Sequence, residues 1–443
     1  MRRDPAVDLA CLRGKRVLIA LSGGADSVAL AAMLAEARSE YGLELFAAHM
    51  DHAIRPESAE DAAFCRALCE RLAIPLHTIR VDVPAEAKRT GEGLETCARR
   101  LRYRWLRAVR AEVGADVIAL AHHLDDQAET VLMHLARGAG PEGIGGMRAR
   151  SGDLVRPLLN LRKSELIDFL KARGLTWRED ATNALADTPR NALRLYGIPA
   201  LEQSYPRFAL AAARYAEAAQ LESDYLSEQT DAFLAERHLA GPFGDFLGLT
   251  PPPHPAILRR ALRRFCPADT GWEKLRELEA LCAASRGKVE ISGSLAAERG
   301  RRGLYFLPNR PASTAEIPLK LNGVTALEGL CEVTAADAPP VPVADDPMTQ
   351  VLDADALTGA VLRTRRDGDR IRPLGCGVKL LSDYFTDRKV DRPLRDHVAL
   401  VAKGNEILWV CGLGIAEGAK LTESTRRALR LSSQYSFDIF RLY

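Results

Sequence analysis

The stretch that most constrains this chain is Arg16 to Leu30, RVLIALSGGADSVAL. Val17 to Leu21 form a short apolar run, as expected of a strand buried on both faces of a parallel sheet. Ser22 to Ser27 read SGGADS, and Val28, Leu30, Ala31 and Leu34 then recur at helical spacing. Strand, glycine-rich turn and helix in that order predict an α/β architecture and a binding site at the turn. Gly23 and Gly24 let the backbone approach a ligand and adopt conformations a side chain would forbid. The free N–H groups of the first helical turn favour an anion, and Ser22 and Ser27 add hydroxyl donors. A phosphate chain suits such a turn. No lysine follows, so this is not the GxxxxGK[ST] phosphate loop. A metal ion held by Asp26 would have to help neutralise the phosphates.

Further strands are expected at 45–49, 76–83 and 117–121, completing a Rossmann-like parallel sheet. Ligands of such sheets gather beyond the carboxyl ends of the strands. There HMDHAIRPES presents His49, Asp51, His52 and Arg55, and AHHLDDQAETVLMHLARGAG presents Asp125, Asp126 and Glu129 at the start of a helix. Asp126 and Glu129 share one helix face. They either favour the helix N-terminus or bind a cation, a metal or an amine. A zinc site with His122 and His123 is a further alternative, although HHxDD is not a standard ligand spacing. The helix at 94–114 carries Arg99, Arg100, Arg102, Arg104, Arg107 and Arg110 beside an apolar stripe. These six form either a solvated face or a phosphate contact, to a nucleotide or a nucleic-acid backbone. Residues 155–160 read as an edge strand because of their proline, and 163–173 as a helix. Asp180 and Asn183 are turn formers, and Arg190, Asn191 and Arg194 lie on a short basic helix.

A chain of 443 residues is too long for one ordinary domain. Composition changes near Pro206. Residues 208–240 and 255–286 have a helical period, and 308–350 are rich in prolines and small residues. From Val351 the pattern is strands and turns, with ten Lys/Arg against six Asp in 362–396 and a strand pair or bent strand at 407–416. The expected division is 1–205, a helical middle domain at 206–310, a linker or irregular region at 311–350, and a small α+β domain at 351–443. The net charge of +2 neither requires nor excludes a nucleic acid. Nine scattered cysteines without a CxxC suggest reduced thiols and a cytoplasmic protein. The N-terminus lacks the apolar core of a signal peptide, and no stretch approaches 18 apolar residues.

SGGADS resembles the pyrophosphate-binding loop of the N-type ATP pyrophosphatases, the PP-loop superfamily. Together with HMDHAIRPES, ETCARRLRYRWL, LDDQAET, RGAG, GIGGM, EDATN…RNALR and the C-terminal RTRRDGDRIRP…LSDYFTDRKV, the whole chain resembles the tRNA(Ile)-lysidine synthetases. Met50 and Ala53–Ile54 stand where that family more often has valine and Gly–Leu. The resemblance implies a ligase that uses ATP and Mg2+ to join L-lysine to C2 of cytidine 34 in the CAU anticodon of tRNA(Ile), through an adenylated base. It implies that Ser22, Gly23, Gly24, Ala25, Asp26, Ser27 and His52 bind ATP, with Asp26 also the metal ligand. Asp126 and Glu129 would take the amines of lysine, and Arg190, or else Arg194, its carboxylate or a phosphate. The middle and C-terminal domains would grip tRNA; an oligomerisation role for the C-terminal block, and a homodimer, stay open. Two competing readings are a tRNA thiolase with the same loop, against which the missing CxxC counts, and a non-catalytic tRNA-binding protein.

Overall fold

The apolar run 16–20 is strand β1 (Arg16–Ala20) in the computed structural model of the chain, which describes residues 7, 9–53, 58–179, 188–241, 244–308, 315–342 and 346–435. Arg55, Asp180 and Asn183 lie outside the described residues. The chain separates into two compact units, Met1–Tyr225 and Leu226–Tyr443.

In the first unit β1 leads into α1 (Ala25–Tyr41), then β2 (Glu44–Asp51), α2 (Ser58–Arg71) and β3 (Leu76–Arg80). Each new strand is added outward. Helices α3 (Val83–Thr90) and α4 (Leu94–Glu112) then return the chain to the other side of β1. There β4 (Val117–Ala119) gives way to α5 (Leu124–Ala136), the single turn α6 (Pro141–Ile144), the hairpin β5 (Arg150–Ser151) and β6 (Leu154–Val155), and α7 (Lys163–Ala172). The strand order is β3-β2-β1-β4-β6-β5, parallel except for the hairpin. The change of direction between β1 and β4 is the switch point at which open α/β sheets bind ligands. Val17 and Ile19 of β1 face α1, α2 and α7, while Leu18 faces Leu106 and Val109 of α4. That is why the strand is apolar throughout.

Three expected strands are shorter, and the one expected at 117–121 is β4, which ends at Ala119. The one expected at 76–83 ends at Arg80 because Asp82 accepts the Ala85 N–H and caps α3, with Pro84 in the first turn. The strand expected at 155–160 is only β6, and 157–160 form a turn. After α8 (Pro189–Ala192), a π-helical turn at Leu193–Gly197 and α9 (Ile198–Ser204) comes the long α10 (Phe208–Arg237). Its Ala209, Ala212, Ala216 and Ala219 pack on Leu124, Ala128 and Val131 of α5. The alanine richness of this segment is thus a close helix–helix contact.

In the second unit the expected helices are present as the end of α10, α11 (Pro255–Arg264) and α12 (Trp272–Ala283). They pack on an antiparallel sheet that the helical reading of 206–310 did not include. Its strands are β7 (His238–Gly241), β8 (Gly244–Gly248), β9 (Lys288–Ser292), β10 (Leu295–Arg299) and β11 (Gly303–Pro308), ordered β7-β8-β11-β10-β9. The irregular reading of 311–350 is corrected. β12 (Ile317–Pro318), β13 (Gly323–Leu327), β14 (Cys331–Ala338) and β15 (Thr349–Asp353) are formed there. Apart from Pro318 on the two-residue β12, the prolines fall outside these strands, and β13 and β14 alternate buried and exposed residues. β16 (Val361–Arg363), β17 (Arg370–Ile371), β18 (Lys379–Leu380), β19 (Leu400–Lys403), β20 (Glu406–Val410), β21 (Gly414–Ile415) and β22 (Ala428–Tyr435) complete two sheets. One runs β12-β16-β19-β20-β17-β18 with β21 on β20, the other β13-β14-β22-β15. The strand pair expected at 407–416 is β20 and β21, with Trp409 fully buried. Among the described residues no helix is long and apolar enough to cross a membrane.

Candidate active site

The loop after β1 is shaped from within. The Ser27 hydroxyl accepts the N–H groups of Ser22 and Gly23, each at 3.2 Å, and donates to the Gly24 carbonyl at 3.0 Å. Ser27 is buried, so its hydroxyl holds the turn together instead of serving as an outward donor, as the sequence suggested. Gly23 has φ +89°, and a Cβ there would lie 3.3 Å from the Cys65 Sγ on α2. Positive φ and close packing both require glycine. Gly24 is the N-cap of α1 and offers no side-chain cap. The N-terminus of α1 therefore opens uncapped onto a cavity of about 1800 Å3, walled by Ser22, Gly24, Ala25, Asp26 and Ser27 on the loop side. Single-ligand pockets run to roughly 300–1,000 Å3, so this cavity has room for a nucleotide together with further reactants.

Asp26 stands at its floor. Its Oδ2 lies 3.7 Å from His123 Nε2 and 3.8 Å from Lys163 Nζ. Its Oδ1 is buried without a hydrogen-bond partner among the described residues. Burial pushes this carboxyl up, but the hydrogen bond and charge of His123, then Lys163 and Arg194, outweigh burial and hold it below its ordinary value. A buried anionic oxygen with an open lone pair suits a cation. His123 is the N-cap of α5: its Nδ1 accepts the Asp126 N–H at 3.4 Å, while Asp126 Oδ2 accepts the His123 N–H at 3.1 Å. Its ring is pulled down by burial and pushed further up by Asp26, Asp126 and Asp125. His123 thus ties the β1 loop to α5. Among the described residues no group of three or more His, Cys, Asp and Glu side chains is arranged to hold a metal, and the zinc alternative gains nothing. Burial disfavours the charged forms of His122 and His52. Burial, then Arg156, Arg102 and Arg190, hold His122 down to about 4 against Asp126. Burial, Arg102 and His49 lower His52.

Four of the residues singled out in the sequence meet in one cluster. Glu129 Oε1 accepts from Arg194 Nε at 2.6 Å, and its Oε2 from Arg190 Nε at 2.7 Å and Arg194 Nη2 at 3.0 Å. Asp126 Oδ1 accepts from Arg194 Nη2 at 3.1 Å and Arg190 Nη2 at 3.3 Å. The spacing of Arg190 and Arg194 presents both guanidiniums on one face. The Glu129 side chain is 1% exposed. Two carboxylates against two guanidiniums make a charge-balanced cluster. Arg190 lines the cavity, and Asp126, Glu129 and Arg194 lie behind it. The acids expected to receive amines are thus already engaged by the arginines expected to receive an anion.

Three contributors went unread in the sequence. Lys163 reaches Asp26 from the start of α7, with no local motif to mark it. Gln127 clamps the GIGGM turn, donating to the Met147 carbonyl at 2.9 Å and accepting its N–H at 2.8 Å; a glutamine inside LDDQAET beside a glycine run is the only trace. Arg178 donates its N–H to the Gly23 carbonyl at 3.0 Å and pairs with Glu60 and Asp61, bracing the loop.

Residues 6–201 match the family model described as PP-loop domain, and 360–432 the one described as TilS substrate C-terminal domain. A tRNA(Ile)-lysidine synthase of Dehalococcoides mccartyi is 33% identical over 94% of this chain and 95% of its own length. The chain belongs to the tRNA(Ile)-lysidine synthase family. Another member, from Symbiobacterium thermophilum, is 34% identical over 95% of this chain and 94% of its own. A synthase of Thermus thermophilus is 43% identical over 67% of this chain, and the match spans 57% of that relative's length.

Proposed function

We propose that this chain joins L-lysine to C2 of cytidine 34 in the CAU anticodon of tRNA(Ile), consuming ATP and releasing AMP and pyrophosphate. The observation that carries the reading is one cavity onto which an uncapped helix N-terminus opens and which Arg190 lines, with Asp126, Glu129 and Arg194 paired behind it and His123 linking Asp26 to Asp126. An anion site beside a latent amine site is what a reaction between an adenylated base and an amine needs.

The cytosine O2 attacks the α-phosphorus of ATP, and pyrophosphate leaves. The lysine ε-amine then attacks C2; the C2–N bond forms as the C2–O bond breaks, and AMP leaves. The first-turn N–H groups at Gly24 to Ser27 and the loop backbone hold the phosphates, with His52 on the adjacent wall. Asp26, through its open Oδ1, would hold Mg2+, which supplies charge neutralisation at the pyrophosphate. Arg190 takes the anion that enters, the lysine carboxylate or a phosphate. Because it is shared with Asp126 and Glu129, that engagement relieves Asp126 Oδ1 and Glu129 Oε2 of one of their two arginine bonds, leaving each able to accept from the lysine amine. Asp126 or Glu129 orients the amine and accepts its proton as C2 is attacked. Arg194 keeps the remaining carboxylate oxygens paired. Residues 206–310 and 351–443 are assigned the grip on tRNA through phosphate contacts.

The sulfur-transfer alternative draws on nothing at the cavity. Burial pushes the Cys65 thiol up to about 12 and the Cys69 thiol up to about 11, the protonated and unreactive form. The test is pyrophosphate release from ATP by the full chain. Release that needs a CAU-anticodon tRNA and is followed by AMP only when lysine is added supports the reading. No release, or release indifferent to tRNA, overturns it.

A further inference from the structure

Helix α4 does not use its arginines alike. Arg100 pairs with Glu92 at 2.9 Å, and Arg107 and Arg110 lie 3.2 and 3.7 Å from Asp153. Arg99 and Arg102 have no carboxylate partner among the described residues. They flank Tyr103, with guanidinium carbons 5.1 and 5.7 Å from its ring centre. Arg156, just beyond β6, joins them and pairs with no carboxylate among the described residues; it donates to the Arg148 carbonyl at 2.7 Å. Burial lowers the pKa values of Arg102 and Arg156, and Arg99 repels both. Arg102 Nε, Arg156 Nε and Tyr103 Oη are buried with no partner among the described residues. Buried donors are expensive to leave unpaired, and three converging cations without an acid call for an anion. Arg99, Tyr103 and Arg156 border a cleft of about 430 Å3 lined also by Thr96, Arg100, Arg107 and Leu154; Arg102 lines the main cavity, and Thr96 and Arg99 line both.

We propose that Arg99, Arg102, Tyr103 and Arg156 form a seat for one phosphate ester, a backbone phosphodiester of the RNA next to the nucleotide whose base enters the main cavity. This rests on the lysidine reading. The triphosphate of ATP shares the chemistry, but the loop after β1 belongs to the α1 side of the sheet. The seat is built on α4, across the sheet from α1, and just beyond β6, two strands from β1; Arg99 and Arg102 reach the wall of the main cavity, while Tyr103 and Arg156 line only the cleft. The cleft also opens to the surface, as a continuous polymer backbone requires. A phosphodiester fixed here would hold the target nucleotide out of its loop stack, which base-specific chemistry on RNA needs.

The test is the salt dependence of CAU-tRNA binding by the full chain, from about 50 to 200 mM salt, with ATP affinity measured in parallel. Arg99→Gln and Arg156→Gln each weaken tRNA binding by about tenfold and flatten the log–log slope by about 0.7 to 0.9, the share of one phosphate. ATP affinity stays at the wild-type value, which also reports an intact fold, and Arg156→Lys keeps the wild-type slope. Wild-type slopes in both Gln variants overturn the proposal, as does a loss of ATP affinity with the tRNA slope unchanged, which would assign the seat to the triphosphate. A wild-type chain that binds tRNA and transfers lysine while the variants fail these expectations overturns the seat alone. A wild-type chain that binds no tRNA overturns the lysidine reading with it.

Discussion

In the proposed reaction the chemistry turns on Glu129. Both its oxygens are held by Arg190 and Arg194, so replacing the carboxylate leaves two partly buried guanidiniums with Asp126 alone. Glu129→Gln and Asp126→Asn are each expected to lower lysine incorporation by about 100-fold or more with ATP affinity unchanged, measured by steady-state incorporation and equilibrium binding. Ala53 has φ +51°, a conformation that costs an L-residue about 1–2 kcal/mol. Ala53→Gly is expected to raise stability by about 0.5–1 kcal/mol in urea unfolding, after the greater chain entropy of glycine is subtracted. His122 gives a pH dependence. It takes a proton near 6.5 when unfolded but only near 4 when folded, so between those values the unfolded state binds more protons and stability falls as the pH falls. The wild type should lose more of its urea midpoint between pH 6.5 and 4.5 than His122→Gln does. Equal losses would remove His122 from the account.

At the scale of elements, the turn from β1 to α1 carries the proposed anion site. Gly23→Ala places a methyl 3.3 Å from Cys65 Sγ at positive φ. It is expected to cost about 1–2 kcal/mol in unfolding and to weaken ATP binding, read by urea unfolding and equilibrium dialysis; an unchanged variant would show that the turn tolerates repacking. This turn was legible in the sequence because an apolar strand, two glycines and a helical stripe are local signals. So were Asp126 with Glu129 and Arg190 with Arg194, since each pair lies within a turn of helix. That the two pairs neutralise one another was not legible, because 61 residues separate Glu129 from Arg190 and only the fold brings them together. The inward hydroxyl of Ser27 escaped for a different reason: its partners are only three to five residues away, and a serine in the first turn of a helix reads alike whether it faces a ligand or its own loop.

For the whole molecule, the first unit was read closely because parallel strands and amphipathic helices announce themselves by periodicity. The second was read less well. Its strands are short, and prolines at 308, 311, 339, 340, 342 and 347 crowd their flanks, so strands 317–353 look like a linker when taken one stretch at a time. The basic excess at 362–396 is also smaller than it looks. Arg363, Arg365, Arg366 and Lys379 are ion-paired within the unit, to Asp369, Asp396, Glu316 and Asp387. Replacing exposed basic residues of the second unit, the proposed grip on tRNA, should raise the KM for tRNA and leave ATP affinity, assigned to the first unit's cavity, as it is. The most direct measurement of the central claim is labelled lysine incubated with the full chain, ATP and a CAU-anticodon tRNA(Ile), followed by nuclease digestion and nucleoside analysis. Label is expected in the nucleoside from position 34, and not with the methionine tRNA that bears the same anticodon. Pyrophosphate released from ATP with no label recovered in the RNA would contradict the account.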